Sequence, residues 1–203
     1  MPDKKQQSGQ ETGAWFTFDN TKEVQMKIGL SFVSMENALL NLDTEQPGWD
    51  FNGIREKARE EWNNQLSKIA VQSEDEDNKT IFYTALYHAL QHPNIINDVN
   101  GEYPAMHSHE TKNTGGERDQ YTVYSLWDTY RTLHPLPTLV YPQQQTHMLA
   151  TMADMAEETG YLPFWELGAY ESYVMNDDAG TISAWYLFSS MGFYPVCPGK
   201  TDC

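Results

Sequence analysis

One apolar stripe at helical spacing limits the fold of this chain more than any other feature. Asp50 is well placed to cap a helix whose opposite face is charged. The stripe consists of Phe51, Ile54, Ala58, Trp62, Leu66 and Ile69. Such a helix must bury its stripe against other elements. We expect further helices at 35–42, 80–91, 125–134 and 143–158, the last ending at Gly160. The fold class is therefore mainly α, an array of helices joined by loops.

The N-terminal part of the chain has a different pattern. Residues 1–13 are polar and are predicted to be a disordered lead-in. Residues 14–34 are predicted to be a β segment, because Val24, Met26, Ile28, Leu30 and Phe32 alternate with mostly polar neighbours. The predicted helix at 80–91 is apolar nearly all round, so we expect both of its faces to be buried. Residues 94–120 are expected to be a long irregular region.

Charge excludes several classes of partner. The 203-residue chain has 29 acidic and 13 basic residues, so its formal net charge is -16. Nucleic acid and anionic membranes attract basic patches, and neither is expected as a partner. No apolar run approaches membrane-spanning length, and the N-terminus lacks the apolar core of a signal peptide. Cys197 and Cys203 are too few for a disulfide framework.

Two adjacent carboxylates, Asp177 and Asp178, precede a predicted helix near the C-terminus. They are followed by Gly180, and the helix is predicted from Ser183, with its apolar face formed by Trp185, Phe188 and Met191. Both carboxylates would then lie at the mouth of a packed helix, held by rigid structure and open to water. Taken alone, the pair is more often an ordinary helix N-terminal cap.

Glu166 is the first candidate for a general acid. It lies between Phe164, Trp165 and Leu167 in the sequence, and apolar surroundings raise the pKa of a carboxyl group. The alternative is an exposed glutamate at a loop corner. Glu171 is a rival acid, five residues further on.

A third group of candidates lies at 127–131. Asp128 and Arg131 are three residues apart, so they can pair on one helix face beside Trp127. The pair is either a helix salt bridge or an aspartate that binds ligand hydroxyl groups and is oriented by Arg131. One protonated glutamate and one ionised aspartate are the minimum set for glycoside hydrolysis.

These motifs, in this order, resemble glycoside hydrolase family 92, the exo-acting α-mannosidases. The matching pieces are Lys27–Ser34 with Glu36-Asn37-Ala38, Gly48–Phe51, Phe82–His88, Ser125–Arg131 with His134-Pro135, Leu162-Pro163 with Trp165–Leu167, Asn176–Gly180 with Ser183–Tyr186, and Gly192–Val196. The resemblance covers most of the chain after about Ala14.

The resemblance implies a fold, an activity and a set of roles. The expected fold is a partial (α/α)6 toroid that follows the last strands of a β-sandwich. The expected activity is removal of terminal α-linked mannose from glycans, as in N-glycan processing, with inversion and with dependence on calcium (Ca2+). By position, Glu166 is the expected acid, and Asp178 or Asp177 the expected base. The expected substrate-binding residues are Trp127, Asp128, Arg131, Trp165 and Glu171. The expected compartment is extracellular or periplasmic.

Several features depart from the family pattern. Family members have a long helical stretch between the Trp-Glu motif and the Asn-Asp-Asp motif, whereas here only residues 167–175 separate them. We therefore predict an internally shortened form with a junction near 175/176, in which residues 35–203 make an incomplete toroid. The alternative is a catalytically inactive remnant that binds a glycan or a protein. Helix faces left uncovered in such a form would favour self-association.

Overall fold

The computed structural model describes residues 13, 15–18, 23–108 and 110–171. Helices in this part of the chain are α1 Met35–Glu45, α2 Phe51–Leu66, α3 Glu76–Ala89, α4 Leu126–Thr129, α5 Pro135–Val140 and α6 Pro142–Thr159. Short strands are β1 Asn94–Ile95, β2 Glu102–Pro104, β3 Thr111–Asn113, β4 Tyr121–Thr122, β5 Tyr124–Ser125, β6 Trp165–Leu167 and β7 Tyr170–Glu171. The described part is mainly helical, as the sequence predicts.

Side-chain caps explain where the first three helices begin. Ser34, Asp50 and Asp75 each accept a hydrogen bond from a backbone N–H in the first turn of α1, α2 and α3. Helix α6 begins with Pro142, whose missing N–H costs nothing at the first helical position. It ends at Gly160, which adopts a left-handed conformation with φ 84°.

The core lies between α6 and the strands that precede it. Met106, Tyr121, Tyr124, Met148 and Met155 form one buried cluster. The Tyr124 hydroxyl donates to the Met148 carbonyl at 2.9 Å, so this fully buried ring also has its polar atom satisfied. Burial raises the pKa of Tyr121 to about 12, which keeps its hydroxyl neutral at physiological pH.

The strands form small antiparallel sheets. Strand β1 pairs with β4, β2 pairs with β3, and β5, β6 and β7 form a three-stranded sheet with β6 in the middle. In that sheet Glu166 lies opposite Tyr124 on one side and Glu171 on the other. This register brings the two glutamates of interest onto neighbouring strands.

A polar network holds α1 against the segment before β2. Asp98 is 2% exposed, and its carboxylate accepts hydrogen bonds from Ser31, Asn37 and Asn41 at 2.7–2.8 Å. The Asn37 amide also donates to Glu102 at 2.7 Å. These hydrogen bonds compensate for the cost of burying the Asp98 carboxylate.

The predicted helices are confirmed as α1, α2, α3 and α6, with somewhat shifted ends. The expected burial of the apolar stripe on α2 is wrong, because no residue of α2 is buried and Phe51 is 65% exposed. The single helix predicted at 125–134 is wrong, because α4 ends at Thr129 and Pro135 starts a new helix, α5. Proline has no N–H to continue a preceding helix, but it fits the first position of the next one. The prediction that α3 is buried on both faces is also wrong. Only its Leu86 is buried, and Ile81 is 67% exposed.

The β segment predicted at 14–34 is not a strand in residues 15–18 and 23–34. Apolar and polar residues do alternate along this segment, but the apolar side chains are the exposed ones. The apolar side chains of Met26, Ile28, Leu30 and Phe32 are exposed, while Lys27, Gly29 and Ser31 are half-buried. Lys27 donates to the Gln46 carbonyl and the Leu30 carbonyl accepts from Asn41, so polar contacts to α1 and its C-cap hold the segment. A strand requires a hydrogen-bonded neighbour, and none of the described strands pairs with this segment.

The region predicted to be irregular at 94–120 contains β1, β2 and β3. These strands have two or three residues each, too short for a period-two pattern to be visible in the sequence. None of the described helices is long and apolar enough to cross a bilayer. The predictions for residues 1–12, for the 175/176 junction and for the helix after Ser183 lie outside the described residues.

Candidate active site

Glu166 lies at the centre of the three-stranded sheet and points into the molecule. Glu166 is only 1% exposed to solvent. The carboxylate accepts hydrogen bonds from the Thr122 hydroxyl at 2.7 Å, the Val123 N–H at 2.9 Å and the Ala169 N–H at 2.6 Å. All three are donors, so the arrangement matches an ionised carboxylate, which can only accept.

Two of these donors belong to residues with unusual backbone conformations. Val123 has φ 68° and Ala169 has φ 65°, in the left-handed region that side chains with a Cβ rarely occupy. Gly168 has φ 62°, so the two residues between β6 and β7 both have positive φ. This is the pattern of a two-residue type I′ hairpin turn. The turn therefore contains one residue suited to it, Gly168, and one residue, Ala169, that is strained.

Opposing effects act on the acidity of Glu166. Burial raises the pKa of Glu166 above its ordinary value, and the hydrogen bonds from Thr122 and from the backbone of 169, 124 and 123 counteract this rise. The predicted rise is thus confirmed in direction and cause. The predicted alternative, an exposed glutamate at a loop corner, is wrong. A side chain with almost no exposed surface also has no access to a substrate in this conformation.

Glu171 is the more accessible of the two glutamates. It is half-buried on the edge strand β7. Its carboxylate accepts from the Phe164 N–H at 2.9 Å and from the Trp165 N–H at 2.7 Å. These bonds tie the open end of the β6–β7 hairpin to the carboxylate and fix its direction. The rival acid named from the sequence is thus the one with solvent access.

Several aromatic residues belong to this sheet and to the segments next to it. Trp165 and Tyr170 are 39% and 51% exposed, and the rings of Trp127 and Phe164 meet edge-on with centroids 5.7 Å apart. Burial raises the pKa of Tyr161, and the negative charge of Glu171 adds to the rise. Exposed aromatic faces are suited to stacking on a sugar ring.

The remaining predicted binding residues lie on and just after α4. Asp128 is exposed and accepts from the Ser125 hydroxyl at 2.6 Å. Arg131 donates to the Tyr130 hydroxyl at 2.6 Å, with its guanidinium over the same ring. The contact found for Asp128 is thus a helix-start hydrogen bond. The i,i+3 spacing that predicted a pair with Arg131 assumed a continuous helix, whereas α4 ends at Thr129.

The structure brings Trp127, Trp165, Glu166 and Glu171 to one small sheet and the helix that follows β5. Asp177 and Asp178 lie outside the described residues, so their distance to either glutamate is not defined. Within 23–108 and 110–171, no three His, Cys, Asp or Glu side chains come together in a way that could hold a metal ion. The sequence analysis did not identify Thr122 or Val123 as part of this site. Near the site, the Gly168-Ala169 pair is the sequence feature that indicates a turn.

Glycoside hydrolases act with paired carboxyl groups, and two glutamates lie on neighbouring strands of this sheet. Comparison with known families supports this class. The family profile described as "Glycosyl hydrolase family 92 catalytic domain" matches residues 37–176 and 172–203. The chain therefore belongs to glycosyl hydrolase family 92, as its motifs predict.

Individual relatives agree with this assignment. A family GH92 α-mannosidase from Bacteroides thetaiotaomicron, solved in complex with mannoimidazole, is 33% identical, with a TM-score of 0.67 over 71% of this chain. A family GH92 inverting mannosidase from the same species is 28% identical, with a TM-score of 0.66 over 77% of this chain. An uncharacterized secreted glycosidase from Arthroderma benhamiae is 30% identical over 118 residues, or 56% of this chain.

The relatives are much longer than this chain. It covers 19% and 21% of the two mannosidase chains and 14% of the secreted glycosidase.

Proposed function

We propose that this chain acts in the removal of terminal α-linked mannose from glycans, with inversion at the anomeric carbon. The observation that supports this most directly is the match to the family GH92 catalytic domain over residues 37–176 and 172–203. Two of the similar solved structures are described as an α-mannosidase bound to mannoimidazole and as an inverting mannosidase. An extracellular or periplasmic site of action agrees with the secreted relative.

For the acid we propose Glu171 instead of Glu166. The acid must donate a proton to the glycosidic oxygen, so its carboxyl group has to touch the substrate. Both carboxylates accept backbone hydrogen bonds, but Glu171 is half-buried on the outer strand of the described sheet, whereas Glu166 is only 1% exposed. The exposed ring of Trp165 is proposed to bind the sugar.

For the base we propose Asp178 or Asp177. In an inverting reaction the base removes a proton from a water molecule, and that water attacks the anomeric carbon from the face opposite the leaving group. The two carboxyl groups are then about 6.5–9.5 Å apart, which leaves room for the water. Because both aspartates lie outside the described residues, variants have to distinguish them.

The proposed architecture is a partial (α/α)6 toroid with an internal junction near 175/176. Similarity to the solved mannosidases at a TM-score of 0.67 supports the first part. The family profile matches in two pieces that overlap at residues 172–176, and this supports the second part.

Calcium is proposed from the family resemblance alone. The described residues do not bring together a set of carboxylate and imidazole side chains that fits a metal ion. We therefore derive no step through calcium, and the assay below tests for it directly.

The test is hydrolysis of an α-linked mannobiose by the purified chain, with calcium or with a chelator, because departure of a sugar alcohol depends on the general acid. We expect release of mannose that the chelator abolishes, with β-mannose as the first product seen by proton NMR. Glu171→Gln should remove activity by about 100-fold or more, as expected for loss of a general acid. Glu157→Gln, an exposed glutamate on α6, is the matched control and should leave the rate unchanged. Asp177→Asn and Asp178→Asn identify the base by which of them is inactive. Absence of any release of mannose would refute the proposed activity.

A second candidate is a catalytically inactive form that binds mannose-containing glycans. The burial of Glu166, the acid expected from the family resemblance, favours it, because that side chain is only 1% exposed. Calorimetric titration with mannoimidazole separates the two candidates. Binding without turnover supports the inactive form, and turnover refutes it.

A further inference from the structure

The buried carboxylate of Glu166 is not used by the proposed chemistry, yet it accepts more hydrogen bonds than the Glu171 carboxylate does. Its three hydrogen-bond donors come from two separate parts of the chain, 122–123 and 169. Burial of a charge is costly unless such bonds compensate for it. A leucine at this position would pack without that cost, so the carboxylate must do something else.

Its contacts converge on the turn between β6 and β7. The Ala169 N–H donates directly to Glu166, and the Gly168 N–H donates to the Thr122 hydroxyl at 2.8 Å, which in turn donates to Glu166. Both turn residues are thus held by one carboxylate and one hydroxyl. The left-handed conformation of Ala169 costs about 1–2 kcal/mol relative to glycine, so the turn needs such bonds to persist.

The turn sets the position of Glu171. A two-residue turn fixes the register of its hairpin, and Glu171 follows Ala169 by two residues. The register places Glu171 directly opposite Glu166. The Glu171 carboxylate closes the other end of the hairpin through the N–H groups of Phe164 and Trp165. The Glu166 carboxylate therefore holds the turn of the β6–β7 hairpin, and the Glu171 carboxylate holds its open end.

We propose that Glu166 is a positioning residue, which holds the Gly168-Ala169 turn so that the Glu171 carboxylate is fixed in place on strand β7. It acts through the backbone and does not touch substrate. This inference rests on the proposed function for its meaning in catalysis, but its structural content can be tested without any activity.

The first test is carbon-13 NMR of the glutamate carboxyl carbons, with the Glu171 signal assigned by its loss in Glu171→Gln. In Glu166→Gln the amide places an NH2 group against backbone N–H donors, so the turn should loosen and the Glu171 signal should shift or broaden. Asp98→Asn is the matched control, because Asp98 is also a buried carboxylate but its side-chain hydrogen bonds run to α1 and Ser31. It should leave the Glu171 signal in place.

A second pair of variants covers the case in which Glu166→Gln does not fold. Thr122→Val removes the hydroxyl that links Gly168 to Glu166, and Thr122→Ser restores it. We expect the Glu171 signal to move in Thr122→Val and to return in Thr122→Ser, with circular dichroism showing that each sample is folded. An unchanged Glu171 signal in folded Thr122→Val would overturn the proposal.

Kinetics provide the link to catalysis when the parent chain hydrolyses mannosides. Misplacement of a catalytic group by about 1 Å costs about 100-fold in rate. We expect Glu166→Gln and Thr122→Val to lower kcat by about 10- to 100-fold with KM within a few-fold of the parent. A rise in KM with kcat unchanged would contradict a positioning role. A parent chain without activity refutes the proposed function, and the NMR result still decides the positioning role.

Discussion

Removal of the Thr122 hydroxyl should destabilise the fold far more than removal of its methyl group. The residue is 4% exposed, and its hydroxyl donates to Glu166 and accepts from the Gly168 N–H. A hydrogen bond to a charged acceptor is worth about 1.5–3 kcal/mol, and a buried N–H without a partner costs about 1–3 kcal/mol. Because Gly168 is only half-buried, water can partly replace the second bond. We therefore expect Thr122→Val to cost about 2–4 kcal/mol.

Urea unfolding at neutral pH, followed by circular dichroism, measures this difference. With a slope of about 2 kcal/mol per molar urea, a loss of 3 kcal/mol lowers the midpoint by about 1.5 M. Thr122→Ser keeps the hydroxyl and loses one buried methyl group, worth about 0.8 kcal/mol. The two variants should therefore differ by about 2 kcal/mol. Equal urea midpoints for Thr122→Val and Thr122→Ser would refute the argument that the Thr122 hydroxyl provides most of the stabilisation at this site.

Three further predictions concern other parts of the molecule. Burial lowers the pKa of His134, so the unfolded chain takes up a proton at a higher pH than the folded chain, and stability is lost as pH falls from about 6.5 through the folded pKa. His134→Phe retains the stacking on Tyr124 and should lack this part of the pH dependence in urea titrations. Identical pH profiles for the two proteins would contradict the prediction. At Gly29 an added Cβ would clash with the Ala38 carbonyl oxygen, so Gly29→Ala should lower the free energy of unfolding by about 1–3 kcal/mol, measured by calorimetry. Gly48→Ala is the control, because its Cβ would meet nothing nearer than 4.0 Å. Leu139 and Leu149 are 82% and 53% exposed, and we expect such uncovered apolar side chains to make the chain self-associate. Replacement of both by lysine should then lower the association constant in sedimentation velocity without loss of helix content. An unchanged constant would contradict a role for these two residues.

The helices that the sequence predicted well are those with strong local signals. Helix α2 has both a capping aspartate and an apolar stripe, and α6 has a terminating glycine. Burial was predicted less well, because it depends on what packs against a helix. Helix α3 is apolar nearly all round, yet only Leu86 is buried among the described contacts. Periodicity reveals which faces are apolar, but it does not reveal which neighbours cover them.

The candidate site was predictable only as a short list of residues. The sequence identified Glu166 and Glu171 as rivals and expected a raised pKa for Glu166, which the structure confirms. Their different exposure depends on Thr122 and Val123, more than 40 residues away along the chain. Non-local hydrogen bonds of this kind leave no pattern in the sequence. A left-handed valine such as Val123 is also not expected from sequence, because β-branched residues strongly disfavour that conformation.

The outward row of Met26, Ile28, Leu30 and Phe32 has a practical consequence for work with this chain. Four adjacent apolar side chains on the outside make contact between copies favourable, while a net charge of -16 keeps the copies apart. Salt weakens only the second effect, since the Debye length falls from about 10 Å at 0.1 M to about 3 Å at 1 M. Concentrated salt should therefore precipitate the protein, and dilute buffers should keep it dispersed. Calcium added for an assay neutralises carboxylates as well, so its concentration has to be kept low for the same reason.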